Sequence, residues 1–183
     1  MNDLIVHTRR WKAALTDRPE TSLIASQQIL EYDYLPTREL GDHASAEILA
    51  ELRMPSSGVV PMAILGATYQ PAAGSLLIRV VSSGEYTPGG IPRLPSKLAE
   101  PLISGLPLEY ATVVLDEIAK TTAEMGFPGG MIEVNRGGYD EVDSSEFAFR
   151  KTARFLTWAL LTTSSSGFPT DDEVSLFLEP LQV

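Results

Sequence analysis

The chain has no cysteine, two histidines and only 14 lysines and arginines among its 183 residues, and each shortage closes a class of function. Without cysteine there is no disulfide, no thiolate nucleophile and no cysteine-based zinc or iron–sulfur site. His7 and His43 stand apart near the N-terminus with no H-E-x-x-H pattern around them, which leaves histidine-based catalysis little to stand on. The 14 bases face 24 acids, a formal net charge of −10. That balance disfavours non-specific nucleic-acid binding, which depends on cations that neutralise phosphate.

Long apolar runs are missing too. None approaches the ~18 residues of a membrane span, and the apolar run within residues 1–10 is too short for a signal peptide, so no membrane partner and a cytoplasmic location are expected. No G-x-x-x-x-G-K-[ST] phosphate loop, EF-hand loop, G-x-S-x-G or G-x-G-x-x-G occurs. GTP binding is therefore not expected, no catalytic residue, cofactor or metal is assigned, and the chain reads as a non-enzyme.

What is present suffices for one core, at 44% hydrophobic residues. Two apolar segments, 3–15 and 22–34, flank a turn at Thr16-Asp17-Arg18-Pro19-Glu20 and are expected to pair as a hairpin. Arg9, Arg10 and Lys12 read as a solvated edge face. Alternation at Ala44, Ala46, Ile48, Ala50 and Leu52 favours a strand. Gly58 to Tyr69 and Ser75 to Val81 read as strands of a second hairpin around the Gln70-Pro71-Ala72-Ala73-Gly74 turn. Four prolines make residues 83–101 an exposed loop, in which Pro92-Arg93-Leu94-Pro95 is a minimal P-x-x-P. A short strand is expected near 101–104.

Pro107, Glu109, the apolar series Ala111, Val114, Leu115 and Ile118, and the Gly126–Pro128 stop predict a helix over 107–125. A strand at Met131–Arg136 then enters the most informative run, Gly137-Gly138-Tyr139-Asp140-Glu141-Val142-Asp143-Ser144-Ser145-Glu146-Phe147-Ala148-Phe149-Arg150. Gly137 and Gly138 suit positive φ in a turn, and Asp143 with Glu146 suits a capping box, so a second helix is expected to start near Ser144. Thr162 to Gly167 reads as a polar linker and Val174 to Leu181 as a closing strand. Asp140, Glu141, Asp143 and Glu146 place four carboxylates within seven residues. Capping and a polar loop tip account for them better than a metal does.

The run from Gly137 to Arg150 resembles domain IV of translation elongation factor G and its paralogues, including ribosomal-protection proteins. In that family a strand leads through Gly-x-Tyr-His-(Asp/Glu)-Val-Asp-Ser-Ser-Glu into a helix with (Leu/Met/Phe)-Ala-Phe-(Lys/Arg), and Asp140 stands here where the family usually has histidine. The upstream Pro107-Leu108-Glu109-Tyr110 matches the Pro-x-Glu-Tyr that opens the family's first helix. Leu178-Glu179-Pro180-Leu181 resembles the exit toward a further domain.

The resemblance implies an α+β fold of the ribosomal protein S5 domain 2 type, a four-stranded sheet with two helices on one face and a left-handed crossover, with an added N-terminal β-rich segment. It divides the chain into an N-terminal extension packed on the same core (1–57), a domain IV-like part (58–161), and a linker with C-terminal strand (162–183). It also implies loop-tip contacts at Gly137, Gly138, Tyr139, Asp140 and Glu141, with Gln70 to Gly74 as the neighbouring loop. Apart from the resemblance, Arg150, Lys151 and Arg154 lie opposite the second helix's apolar face and read either as solvent-facing charges with snorkelling stems or as candidate phosphate contacts. Two functions follow. The first is a non-catalytic, stand-alone domain IV-like protein associated with the ribosome or a translation factor. The second is an acidic protein-interaction domain that kept the fold and lost ribosome binding.

Overall fold

Among the described residues eight strands precede the first helix, and the two longest helices lie against a wide sheet. The computed structural model describes residues 2–21, 23–24, 26–36, 39, 41–54, 60–83 and 92–182, with the backbone alone at 26, 27 and 182. Its elements are β1 (Asp3–His7), β2 (Lys12–Asp17), β3 (Ser26–Tyr34), β4 (Ala46–Arg53), β5 (Met62–Pro71), β6 (Leu76–Ser83), β7 (Arg93–Leu94), β8 (Leu102–Ser104), α1 (Leu108–Met125), β9 (Gly130–Tyr139), α2 (Glu146–Ser166) and α3 (Asp171–Leu178), then a 3-10 turn at Pro180–Gln182. The protein is thus α+β, with a mixed sheet and three α-helices among the described residues.

The sheet order is β1-β2-β4-β5-β9-β6-β3, with β8 also on β9 and β7 on β8. All pairs are antiparallel except β6–β9. Helix α1 lies over β6 and β3 while α2 lies over β4 and β5, and the helices pack on each other. The shared core includes Ile48, Leu52, Leu65, Tyr69, Ile78, Val134, Val114, Ile118, Phe149, Phe155 and Leu156. A smaller apolar cluster of Leu49, Met62, Ile64, Leu94 and Leu102 lies apart from it. Along β4 and β5 these residues alternate with the large core's, as the two-residue period of a strand requires.

Several sequence expectations are corrected. Residues 3–15 do not pair with 22–34. The first segment folds on itself as the β1–β2 hairpin, while β3 joins β6 at the opposite edge. The connecting strap crosses the sheet, with Arg18 N–H donating to Glu47 O (3.0 Å) and Ile24 N–H to Asn135 O (2.8 Å). The N-terminal segment therefore supplies both outer flanks. The expected strand at 44–53 is β4.

The second expected hairpin is opened, because β9 inserts between β5 and β6. Glycine makes this fit. A Cβ on Gly129 would meet Gly74 O and Ala72 O, and one on Gly130 would meet Gln70 O, so β9 enters the sheet where no side chain has room. The Tyr69 hydroxyl donates to Gly129 O (2.9 Å) at this junction, and burial pushes its phenol up to about 12. Residues 58 and 59 of the expected strand, and 84–91 of the expected proline loop, lie outside the described residues. The P-x-x-P segment is not a free polyproline ligand, since Arg93 and Leu94 form β7 and Leu94 is 2% exposed.

Helix α1 matches its expected span, ending at left-handed Gly126 (φ 64°). Helix α2 runs on through the expected linker to Ser166, and there its serine hydroxyls bond backward to the preceding turn. Ser164 Oγ donates to Leu161 O (2.9 Å), Ser165 Oγ to Leu161 O (2.8 Å) and Ser166 Oγ to Thr162 O (3.0 Å). The expected closing strand is helix α3, set by a capping box in which Thr170 and Glu173 bond each other's backbone N–H groups. The Thr170 N–H and the Thr170 hydroxyl both donate to Glu173 Oε2 (2.8 Å each) and hold its carboxyl below the usual value.

Candidate functional site

At the C-terminal end of β9 the chain builds a short loop, 140–145, before α2. Gly137, Gly138 and Tyr139 belong to the strand rather than to a turn, with Gly138 paired to Ile64 and Ser104, and Tyr139 to Ile103. The two glycines serve close approach. A Cβ on Gly137 would meet Gly105 O at 2.8 Å, and one on Gly138 would meet Leu94 Cδ2 at 3.0 Å. Burial pushes the Tyr139 phenol up, and Glu141 adds to the shift.

Asp140 closes the loop. Its Oδ1 accepts the N–H groups of Val142 (2.8 Å) and Asp143 (3.0 Å), while its own N–H donates to Ser144 Oγ (2.9 Å). Ser144 Oγ in turn donates to Met62 O (2.8 Å), and Asp143 Oδ1 accepts the Val60 N–H (3.0 Å). Asp143 is thus a tie to the β4–β5 connection and not the helix cap. The cap is Ser145, whose side chain accepts the Ala148 N–H. Glu141 and Val142 are exposed at the tip, Val142 to 73%. The loop's acids Asp140 and Asp143 satisfy backbone donors, and among the described residues no group of three His, Asp or Glu side chains is placed to hold a metal.

The loop that neighbours this tip is not Gln70–Gly74. Gly130 pairs with Pro71 and Gly138 with Ile64, so 72–75 lies at the other end of a ten-residue strand, about 30 Å away. Among the described residues, Val60 and Met62, after β4, bond to 140–145.

Arg150, Lys151 and Arg154 line a groove of about 470 Å³ with Glu117 and Lys120 of α1 and with Phe147, Phe177, Pro180 and Leu181. Arg150 pairs with Glu146 at 3.6 Å, and Arg154 with Glu124 at 2.8 Å and Glu117 at 3.6 Å. Lys151 Nζ sits 5.4 Å from the Phe147 ring centroid, and Trp11 stacks on the same ring at 6.3 Å. The cations therefore form one wall of a groove with aromatic lining, not a flat face.

Two features escaped the sequence reading. Arg136, nearly buried, pairs with Glu47 at 2.8 Å and donates through Nε to Thr21 O (3.2 Å), clasping the N-terminal strap. The signal was Gly66, a glycine inside a strand pattern. A Cβ there would lie 2.9 Å from both Arg136 Cβ and Leu49 Cδ1. Glu51, 3% exposed, accepts from Ser96 Oγ (2.8 Å) and the Lys97 N–H (3.0 Å), anchoring the segment before β8. Burial raises its pKa despite these donors. Nothing in the sequence marked it.

No family model matches the chain, and no curated protein matches it. No helix among the described residues is long and apolar enough to cross a membrane.

Proposed function

We propose that this chain is a non-catalytic module of the elongation factor G domain IV type, with the S5 domain 2 fold, that associates with the ribosome or a translation factor in the cytoplasm. The observation that carries the reading is the end of the sheet where 140–145 docks on 60–62. There the motif-bearing loop is tied to the entry of β5, through Val60 N–H to Asp143 Oδ1 and Ser144 Oγ to Met62 O. Around it, β4-β5-β9-β6 make four adjacent strands with α1 and α2 on one face. In this reading β4 belongs to the domain IV-like part, and the boundary near residue 57 moves to the start of that strand. The tip then comes from the β9–α2 loop with residues 60–62 beside it. The module binds no GTP and acts by docking.

Co-sedimentation with ribosomes across a salt series tests this. Binding that weakens in a Glu141→Ser/Val142→Ser double variant supports a tip contact, and fading with salt assigns the contact to charge. Absence of binding at low salt discards the ribosomal partner.

A second reading, an acidic protein-interaction domain, is favoured by one observation. From Gly137 to Phe149 the chain has four carboxylates and no basic residue, so the tip presents negative charge where RNA phosphate would repel it. A purified translation factor that binds the chain when ribosomes do not would separate the factor partner from this reading.

A further inference from the structure

We propose that the groove between α1, α2 and the C-terminal turn is a binding site for a small aromatic phosphate, a planar ring carrying one phosphoryl group. Four of the chain's 14 cationic side chains, Lys120, Arg150, Lys151 and Arg154, line it, in a protein of net charge −10. Its volume of about 470 Å³ falls within the ~300–1,000 Å³ common for small-molecule sites. Phe147, 43% exposed, and Phe177 with Leu181 supply an apolar surface among the cations. Charge and aromatic area together select an anion with a ring, which a bare phosphate face does not.

The cations have partners now, and those partners are replaceable. Lys120–Glu124 spans 3.9 Å and Arg150–Glu146 spans 3.6 Å, with all four side chains at least 42% exposed. Exposed pairs of this kind contribute only ~0–1 kcal/mol. A phosphoryl group offers three acceptor oxygens and greater charge, so it displaces Glu146 from Arg150 at little cost, competes with Glu124 for Arg154 (2.8 Å), and takes charge-assisted bonds from Arg150, Arg154 and Lys151. Glu117, the one carboxylate among the described residues that line the groove, is held by Arg154 and by the Thr121 hydroxyl (3.4 Å). It repels a second anionic group, which limits the ligand to one phosphoryl.

The inference does not depend on a translational role, and loss of ribosome binding leaves it standing. Its test is titration with 1-naphthyl phosphate, followed by amide and aromatic chemical shifts, beside inorganic phosphate and 1-naphthol. Saturable binding of naphthyl phosphate, tighter than either fragment and centred on Phe147 and Arg150, is expected. Arg150→Ala/Lys151→Ala should weaken it about tenfold or more, the size of a lost charge-assisted contact. Lys120→Ala, on the opposite wall, should weaken it without touching α2. Phe147→Ser should bring it down to the affinity of inorganic phosphate. No saturable binding, inorganic phosphate binding as tightly as naphthyl phosphate, or an affinity unchanged in both cation variants overturns the proposal.

Discussion

On the helix-covered face of the sheet, β4, β5 and β9 give the large core Ile48, Leu52, Leu65, Tyr69, Ile132 and Val134, whereas the same strands also carry Glu47, Glu51 and Arg136. The first set is held by apolar burial, which is non-directional and scales with area. The second holds a strap and an arm by directed bonds, so each group depends on its partner. One sheet therefore answers substitution in two ways.

The largest effect is expected in the large core. Phe149 is fully buried and stacks on Tyr110 at 4.4 Å. Phe149→Ala should cost about 3–5 kcal/mol in denaturant unfolding, by lost transfer energy and a residual cavity. Gly66→Ala tests the directed set. Its Cβ would press on Arg136 and Leu49, and about 1–3 kcal/mol of overpacking should follow.

Arg136→Ala should cost about as much, because it leaves Glu47 and the Thr21 carbonyl without their donor. The sharper test is a cycle with Glu47→Gln: the double variant should cost less than the sum of the singles, and strict additivity would sink the clasp. Ser145→Ala, removing the α2 cap, should cost about 1 kcal/mol.

The smallest and most specific effect concerns pH. Burial raises the Glu51 pKa, so the folded chain keeps this proton to higher pH than the unfolded chain does. Its contribution to stability is therefore fullest below the ordinary carboxylate value and falls as pH rises through the folded pKa. Glu51→Gln should flatten that fall, read as a reduced slope of unfolding free energy against pH. An unchanged slope would place the titration elsewhere.

Sequence alone determined the elements whose signals are local. Pro107 and Gly126 bound α1, alternation marks β4, apolar strand-forming residues mark β5, and the Gly137 to Arg150 run announces a strand, a loop and a helix, because propensity, capping and periodicity act within a few residues. Even there, local chemistry was legible in kind and not in place. The cap moved from Asp143 to Ser145 once Asp143 found the Val60 N–H, and the Thr162–Ser166 run is helical, with its serine hydroxyls bonded back to the preceding turn.

Only the tertiary structure decided which strands are neighbours. That β9 divides β5 from β6, that residues 3–34 flank both edges, and that 60–62 rather than 70–74 meet the Asp140 loop are outcomes of pairing between distant segments. Such pairing is set by the room glycines leave at 66, 129 and 130 and by which partners satisfy buried polar groups. It gathers Lys120, Phe147, Arg150 and Phe177, far apart in the chain, around one groove.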